Sequence, residues 1–225
     1  MSGRLYGERK DQFQVVLCGY DLRGTMTVFD EKTGKQTQRP IQPMESVWYK
    51  YEQIMTDNYR IISNESYKEE LLSFKKKQIT GDINSNYRRV WTKPITTYAS
   101  NYNNFDVSLA PLKEHIFNKV KSQLKVIEAG FHKKALVLQD YGPYTIDCVN
   151  VVKFGGGFDE KGNAMMVPKS KNHKLWYQHI KKLIDNPSLV EDLGERLYET
   201  VYPRYTLETV TKKRAEWYRH LISKG

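Results

Sequence analysis

Phe105-Asp-Val-Ser-Leu-Ala-Pro-Leu112, then Phe117-Asn-Lys-Val-Lys-Ser-Gln-Leu-Lys-Val-Ile-Glu-Ala-Gly-Phe131, then Lys133-Lys-Ala-Leu-Val-Leu-Gln-Asp-Tyr-Gly-Pro-Tyr-Thr145 follow one another in mid-chain. The pattern is a strand, a helix with charge at its start, and a second strand closed by a Gly-Pro turn. It predicts a parallel βαβ unit. Asn118 is a suitable N-cap. Val120, Leu124, Ile127 and Phe131 recur at helical spacing and make an apolar face. Lys121, Lys125 and Glu128 fall on a neighbouring face. Two ammonium groups and the free amides of a first turn then meet at the positive end of a helix dipole, where an anion, above all a diphosphate, is stabilised. Glu128 lies farther along, where its carboxylate could accept hydrogen bonds from sugar or ribose hydroxyls. A plain surface helix carrying a Lys-Glu pair has the same spacing, and spacing alone leans to that reading.

Asp106–Leu112, Lys121–Gly130 and Ala135–Tyr144, taken in order, resemble the nucleotide-sugar-binding region of GT-B glycosyltransferases of the family-4-like type. The resemblance implies a Rossmann-like parallel sheet with helices on both faces, followed by C-terminal helices. It also implies transfer of a sugar from a nucleotide diphosphate sugar to the hydroxyl of a sugar, glycan or lipid-linked acceptor. The family often sets two glutamates around this helix. Glu128 matches the second and takes the catalytic role, whereas the first falls on Val120. Asn118, Lys121 and Ser122 are read in its place, with Lys125 and Gly142, as contacts to the donor diphosphate; Arg23, in the turn at the carboxyl end of the first strand, is read equally as a further phosphate contact or as a surface residue. Trp91 is read as a base-stacking residue or an ordinary buried tryptophan. No cofactor or metal is implied, because helix dipole and Lys/Arg charge stabilise the leaving diphosphate in such enzymes.

The resemblance covers about residues 13–222, with residues 1–12 as an extension, a hairpin insertion at 25–43 and a helical segment at 172–222. It matches only the donor-binding half of a GT-B enzyme. The expectation is therefore a part that is incomplete alone and works with an acceptor domain or a partner chain.

The 225-residue chain is 39% hydrophobic and 28% charged, a globular balance. No apolar run approaches a membrane span, and the first residues have no apolar core of a signal peptide. Cys18 and Cys148 have no metal spacing, and Cys18 sits in an apolar strand pattern as a buried thiol. A cytoplasmic protein is expected, with peripheral association at the inner membrane face as an option. The net charge of +10 suits anionic partners, so a non-catalytic binding module for nucleic acid or another anionic partner stands as the second reading. None of the five histidines has partners at metal or triad spacing.

Outside the central stretch, Phe13–Cys18, Asp106–Ala110 and Ala135–Gln139 are expected as central strands. Glu45–Met55 reads as a helix. Trp48 and Tyr51 from it, with Leu124 and Ile127 from the central helix, are expected in the core. Residues 59–62 read as a strand and 67–74 as a helix. Asn186-Pro187 breaks the C-terminal helices, and Tyr205–Ile222 is expected to dock through Leu207, Val210, Trp217 and Leu221.

Overall fold

The computed structural model describes residues 2–9, 11–20, 25–49, 52, 86–153, 157–168 and 173–224. They fall into two compact units, Met1–Asn101 and Tyr102–Gly225. Arg23, Tyr51, the strand read at 59–62 and the helix read at 67–74 lie outside the described residues.

The first unit holds α1 (Ser2–Arg9), β1 (Val15–Tyr20), β2 (Thr25–Phe29), β3 (Gln36–Pro40) and β4 (Tyr87–Trp91). β1 pairs parallel to β4, with Val15 opposite Tyr87 and Cys18 opposite Val90. The register shifts between Cys18 and Tyr20, where Gly19 takes φ +91°, a conformation open to glycine. The strand read at Phe13–Cys18 thus runs two residues later, starting where the Val15 amide donates to Asn86 O at 2.8 Å. Cys18 is half-buried rather than buried, while Cys148 is the buried thiol. β2 and β3 form an antiparallel hairpin. Trp91 is the buried centre of a small cluster with Leu17, Trp48 and Tyr49. The buried carboxylate of Glu52 accepts from Arg89 Nε at 2.6 Å and from the Tyr87 hydroxyl at 2.5 Å.

The second unit runs β5 (Val107–Ala110), α2 (Ile116–Lys119), α3 (Leu124–Phe131), β6 (Ala135–Asp140), β7 (Met165–Pro168), α4 (His173–Asp185), α5 (Pro187–Tyr205) and α6 (Leu207–Ile222). Its sheet has the order β5-β6-β7, all parallel. Successive side chains of β6 point to opposite faces. Leu136 and Leu138 join Ala110, Val126, Ala129, Leu197 and Val201 on one face. Ala135 and Val137 join Met165, Val167, Trp176, Leu183 and Leu193 on the other. A strand covered on both faces needs the continuous apolar run that Ala-Leu-Val-Leu supplies. The expected parallel α/β sheet with helices on both faces is present, but of the three strands expected at its centre only β6 is flanked on both sides among the described strands: β5 is an edge, and β1 pairs with β4 in a two-stranded sheet of the first unit.

The central helix is corrected. It is two helices, a four-residue α2 and an eight-residue α3, interrupted at Val120–Gln123. Asn118 is not an N-cap: His115 caps α2, its side chain accepting from the Phe117 amide, and Gln123 precedes α3. Asn118 instead donates from Nδ2 to Lys113 O at 2.7 Å. The interruption breaks the helical phase, so an apolar face counted from Val120 does not carry through. Val120 is 79% exposed and Leu124 55%, against the core placement expected for Leu124. α3 buries Val126, Ala129 and Gly130 instead, and Ile127 and Trp48 are half-buried.

Asn186-Pro187 separates α4 from α5, with Pro187 in the first turn of α5. Tyr205 ends α5, and Thr206 caps α6 by accepting from the Thr209 amide at 3.2 Å. The final helix therefore starts later than read. Leu207, Trp217 and Leu221 stay exposed instead of docking.

Buried His179 on α4 places Nε2 3.2 Å from Met166 O. A carbonyl only accepts, so Nε2 carries the proton. Burial holds this imidazole below its usual pKa, with Lys182 acting the same way and the bond to Met166 opposing. Below about pH 6.5 an unfolded histidine gains a proton that the folded site resists, so stability is lost as pH falls through and below that value. Thermal unfolding should show a drop from about pH 7 to 5, and His179→Gln, which keeps a donor without the titration, should flatten it. An equal drop in the variant would assign it to other groups.

Candidate functional site

The loops that leave the carboxyl ends of β5 and β6 meet each other. In parallel α/β sheets this edge is where ligands bind. After β5 the chain runs through Pro111–His115 into α2 and the interruption. After β6 it turns at Gly142–Thr145. Gly142 has φ +62°, and a Cβ there would lie 2.8 Å from Asn118 O and 3.3 Å from Lys119 Cα. Only glycine permits both that conformation and that approach. Gly142 and Asn118 are thereby brought together.

Lys121 and Ser122 lie exposed in the interruption. Lys121 Nζ stands 5.1 Å from the centre of the exposed Phe117 ring. On α3, Lys125 Nζ donates to Glu128 Oε2 at 3.1 Å. The Tyr102 hydroxyl donates to the same oxygen at 2.7 Å, and the Tyr102 ring stacks on His132 at 4.9 Å between centres. Glu128 is thus held in one orientation by two donors, its side chain 27% exposed. Tyr144, buried after the β6 turn, has its hydroxyl pKa raised, by burial first, with Lys125 lowering it and Glu128 raising it.

Gln123, at the start of α3, leads into a buried network. Its Nε2 donates to Asp147 Oδ2 at 3.1 Å and to the Tyr205 hydroxyl oxygen at 2.7 Å. Tyr205 donates to Asp147 Oδ2 at 2.7 Å, and Arg204 Nη1 donates to Oδ1 at 2.6 Å. The Asp147 side chain is fully buried. Burial first, then the bond to Asp147, raises the Tyr205 pKa. Burial, with the Asp147 charge adding to it, pushes the neighbouring Cys148 thiol up to about 12.

Two residues read as site residues are not among the described residues of the second unit. Trp91 belongs to the first unit, 4% exposed, with its ring packed by Leu17, Trp48 and Tyr49. A stacked base needs an open ring face, so this placement is that of the ordinary buried tryptophan. Arg23 lies outside the described residues. No group of three or more His, Cys, Asp or Glu side chains suited to a metal occurs among the described residues. Tyr102, Tyr144, Gln123 and Asp147 were not singled out from the sequence as site residues. Their partners lie far away in the chain, and no local spacing signals such contacts.

No family model matches the sequence. No curated protein matches it. Among solved structures, one titled "Crystal Structure of TarM" is similar. The two share 17% sequence identity with a TM-score of 0.41, over 68% of this chain and 26% of that chain. The similar region thus spans about a quarter of that chain's length. No helix among the described residues is long and apolar enough to cross a membrane.

Proposed function

We propose that the chain is the donor-binding part of a glycosyltransferase acting on a nucleotide diphosphate sugar. The observation that carries this reading is the junction of the post-β5 and post-β6 loops at Asn118 and Gly142, on the carboxyl edge of a parallel sheet. There, backbone and two lysines can surround a diphosphate. The ligand would lie over the interruption at Val120–Gln123, near the first turn of α3, with Lys121 or Lys125 as its charge partner. Glu128, oriented by Tyr102, would accept from a sugar or ribose hydroxyl and take the catalytic role in transfer. Asn118 and Ser122 complete the polar surround. Lysine charge would neutralise the leaving diphosphate. Acceptor binding is assigned to a second domain or a partner chain.

Calorimetry with uridine and guanosine diphosphates tests the reading. Lys121→Ala or Lys125→Ala should weaken binding by about 1–3 kcal/mol, the range of a charge-assisted contact. Glu128→Gln should keep much of the diphosphate binding, because the amide still offers an acceptor oxygen. Unchanged binding in both lysine variants would move the site elsewhere.

The net charge of +10 favours one other reading, a binding module for nucleic acid. It predicts affinity for any polyanion that falls steeply with salt. A nucleoside diphosphate site should instead discriminate between ligands of equal charge.

A further inference from the structure

The last helix, α6, buries no side chain. Leu207 is 84% exposed, Trp217 59%, Tyr218 62% and Ile222 80%. At helical spacing these residues share one stripe with Val210 and Leu221. The helix carries Lys212, Lys213, Arg214 and Arg219 against Glu208 and Glu216. Lys213 and Arg219 lie to either side of the stripe, Lys212 falls on the opposite face with Glu216, and Arg214 lies within the stripe. An open hollow of about 310 Å³ lies on the stripe itself, lined by Val210, Arg214, Trp217 and Tyr218 together with Lys213 and the end of α5 at Arg204. Arg204 keeps its bond to Asp147. Lys213 and Arg214 have no carboxylate partner among the described residues.

An exposed apolar stripe with a tryptophan and a tyrosine, edged by cations, has the chemistry of a helix that lies in a bilayer interface. Amphipathic rings settle at headgroup depth. Lysine and arginine stems lie along apolar surface while their charges reach outward. The basic flank is complementary to the negative surface of an anionic leaflet, and the chain's +10 charge adds to the attraction. Nucleic acid would use the same cations and stack on the aromatic rings. It would gain little from Leu207, Leu221 and Ile222. We infer that α6 docks the chain on an anionic lipid bilayer, with its apolar stripe at the headgroup–acyl boundary and a lipid phosphate in the hollow beside Lys213 and Arg214. This goes beyond the donor-binding reading and stands independently of it.

Vesicle co-flotation of the full chain tests the inference, with phosphatidylcholine vesicles that contain or lack phosphatidylglycerol. Binding is expected only with phosphatidylglycerol. The pair Trp217→Ser and Leu221→Ser should weaken it by about tenfold or more. Lys213→Glu with Arg214→Glu should remove most of its salt dependence. All four positions lie on a helix without buried residues, so thermal unfolding should be unchanged and serves as the folding control. Absence of wild-type binding to phosphatidylglycerol vesicles would overturn the inference. So would wild-type vesicle binding by the Trp217/Leu221 variant. Binding of a thymidine oligonucleotide that is lost in that variant, with vesicle binding intact, would assign the stripe to nucleic acid and overturn it equally.

Discussion

Replacing Asp147 with alanine is expected to destabilise the second unit by about 3 kcal/mol, as loss of a buried acceptor with several donors does. The carboxylate is fully buried, while the Arg204 side chain is 55% exposed. Arg204 can return to water, so its charge is not stranded. The half-buried Tyr205 hydroxyl loses its acceptor without such an outlet, and the Gln123 amide keeps only its bond to that hydroxyl. These contacts join the start of α3 to the end of α5, so the effect should spread to the sheet face those helices cover. Asp147→Asn keeps the volume and one acceptor oxygen and should lose about half as much. Hydrogen exchange of the β6 amides is the suitable measurement, because it reports on this unit alone. An Asp147→Ala change within about 0.5 kcal/mol of wild type would mean that the network is decorative.

Gly194→Ala should be comparably damaging, at about 3 kcal/mol. A Cβ at Gly194 would run into the carbonyl of Lys133. Lys133 sits in the turn between α3 and β6 at φ +51°, so this backbone has little freedom to retreat. Alanine's better helix propensity returns only about 1 kcal/mol. Gly130 provides the contrast. A Cβ there would run into the Val201 side chain and come within 3.2 Å of Leu197 Cγ and Leu197 O; its hardest clash is with a side chain, which can move further than the backbone that Gly194 faces. Gly130→Ala should therefore cost about 1–2 kcal/mol, and Val201→Ala in the same chain should recover part of that loss. Equal losses at the two glycines would show that the α3–α5 crossing adjusts as a rigid pair rather than locally.

The parallel sheet was legible because β6 must be apolar at every position to be buried on both faces. Ala135–Leu138 meets that demand in the sequence itself. The turn at Gly142 was legible too, as Gly-Pro after an apolar run. The helix between the strands was read as continuous because Val120, Leu124, Ile127 and Phe131 satisfy the helical period. Periodicity cannot register that residues 120–123 leave the helix so that Asn118 can meet Gly142. Leu124 was misplaced for the same reason. Cys18 was read as buried and is half-buried, and Trp91 was left with two readings, because apolar patterning reports that a residue can be buried, not how far.

Within the site, Lys125 and Glu128 sit three residues apart on α3, and the sequence by itself offered their pairing as the plain reading of that spacing, which helix geometry allows. It also determined the basic charge, the parallel α/β class and the break at Asn186-Pro187. Only the tertiary structure decided that Tyr102 orients Glu128, that Gln123, Asp147 and Tyr205 share one network, and that α6 leaves its apolar stripe uncovered. The physical reason is chain separation. Tyr102 lies 26 residues from Glu128, and Gln123 lies 82 from Tyr205. Such contacts form only once the sheet and its helices have packed, and no local period in a sequence encodes which distant hydroxyl will meet which carboxylate.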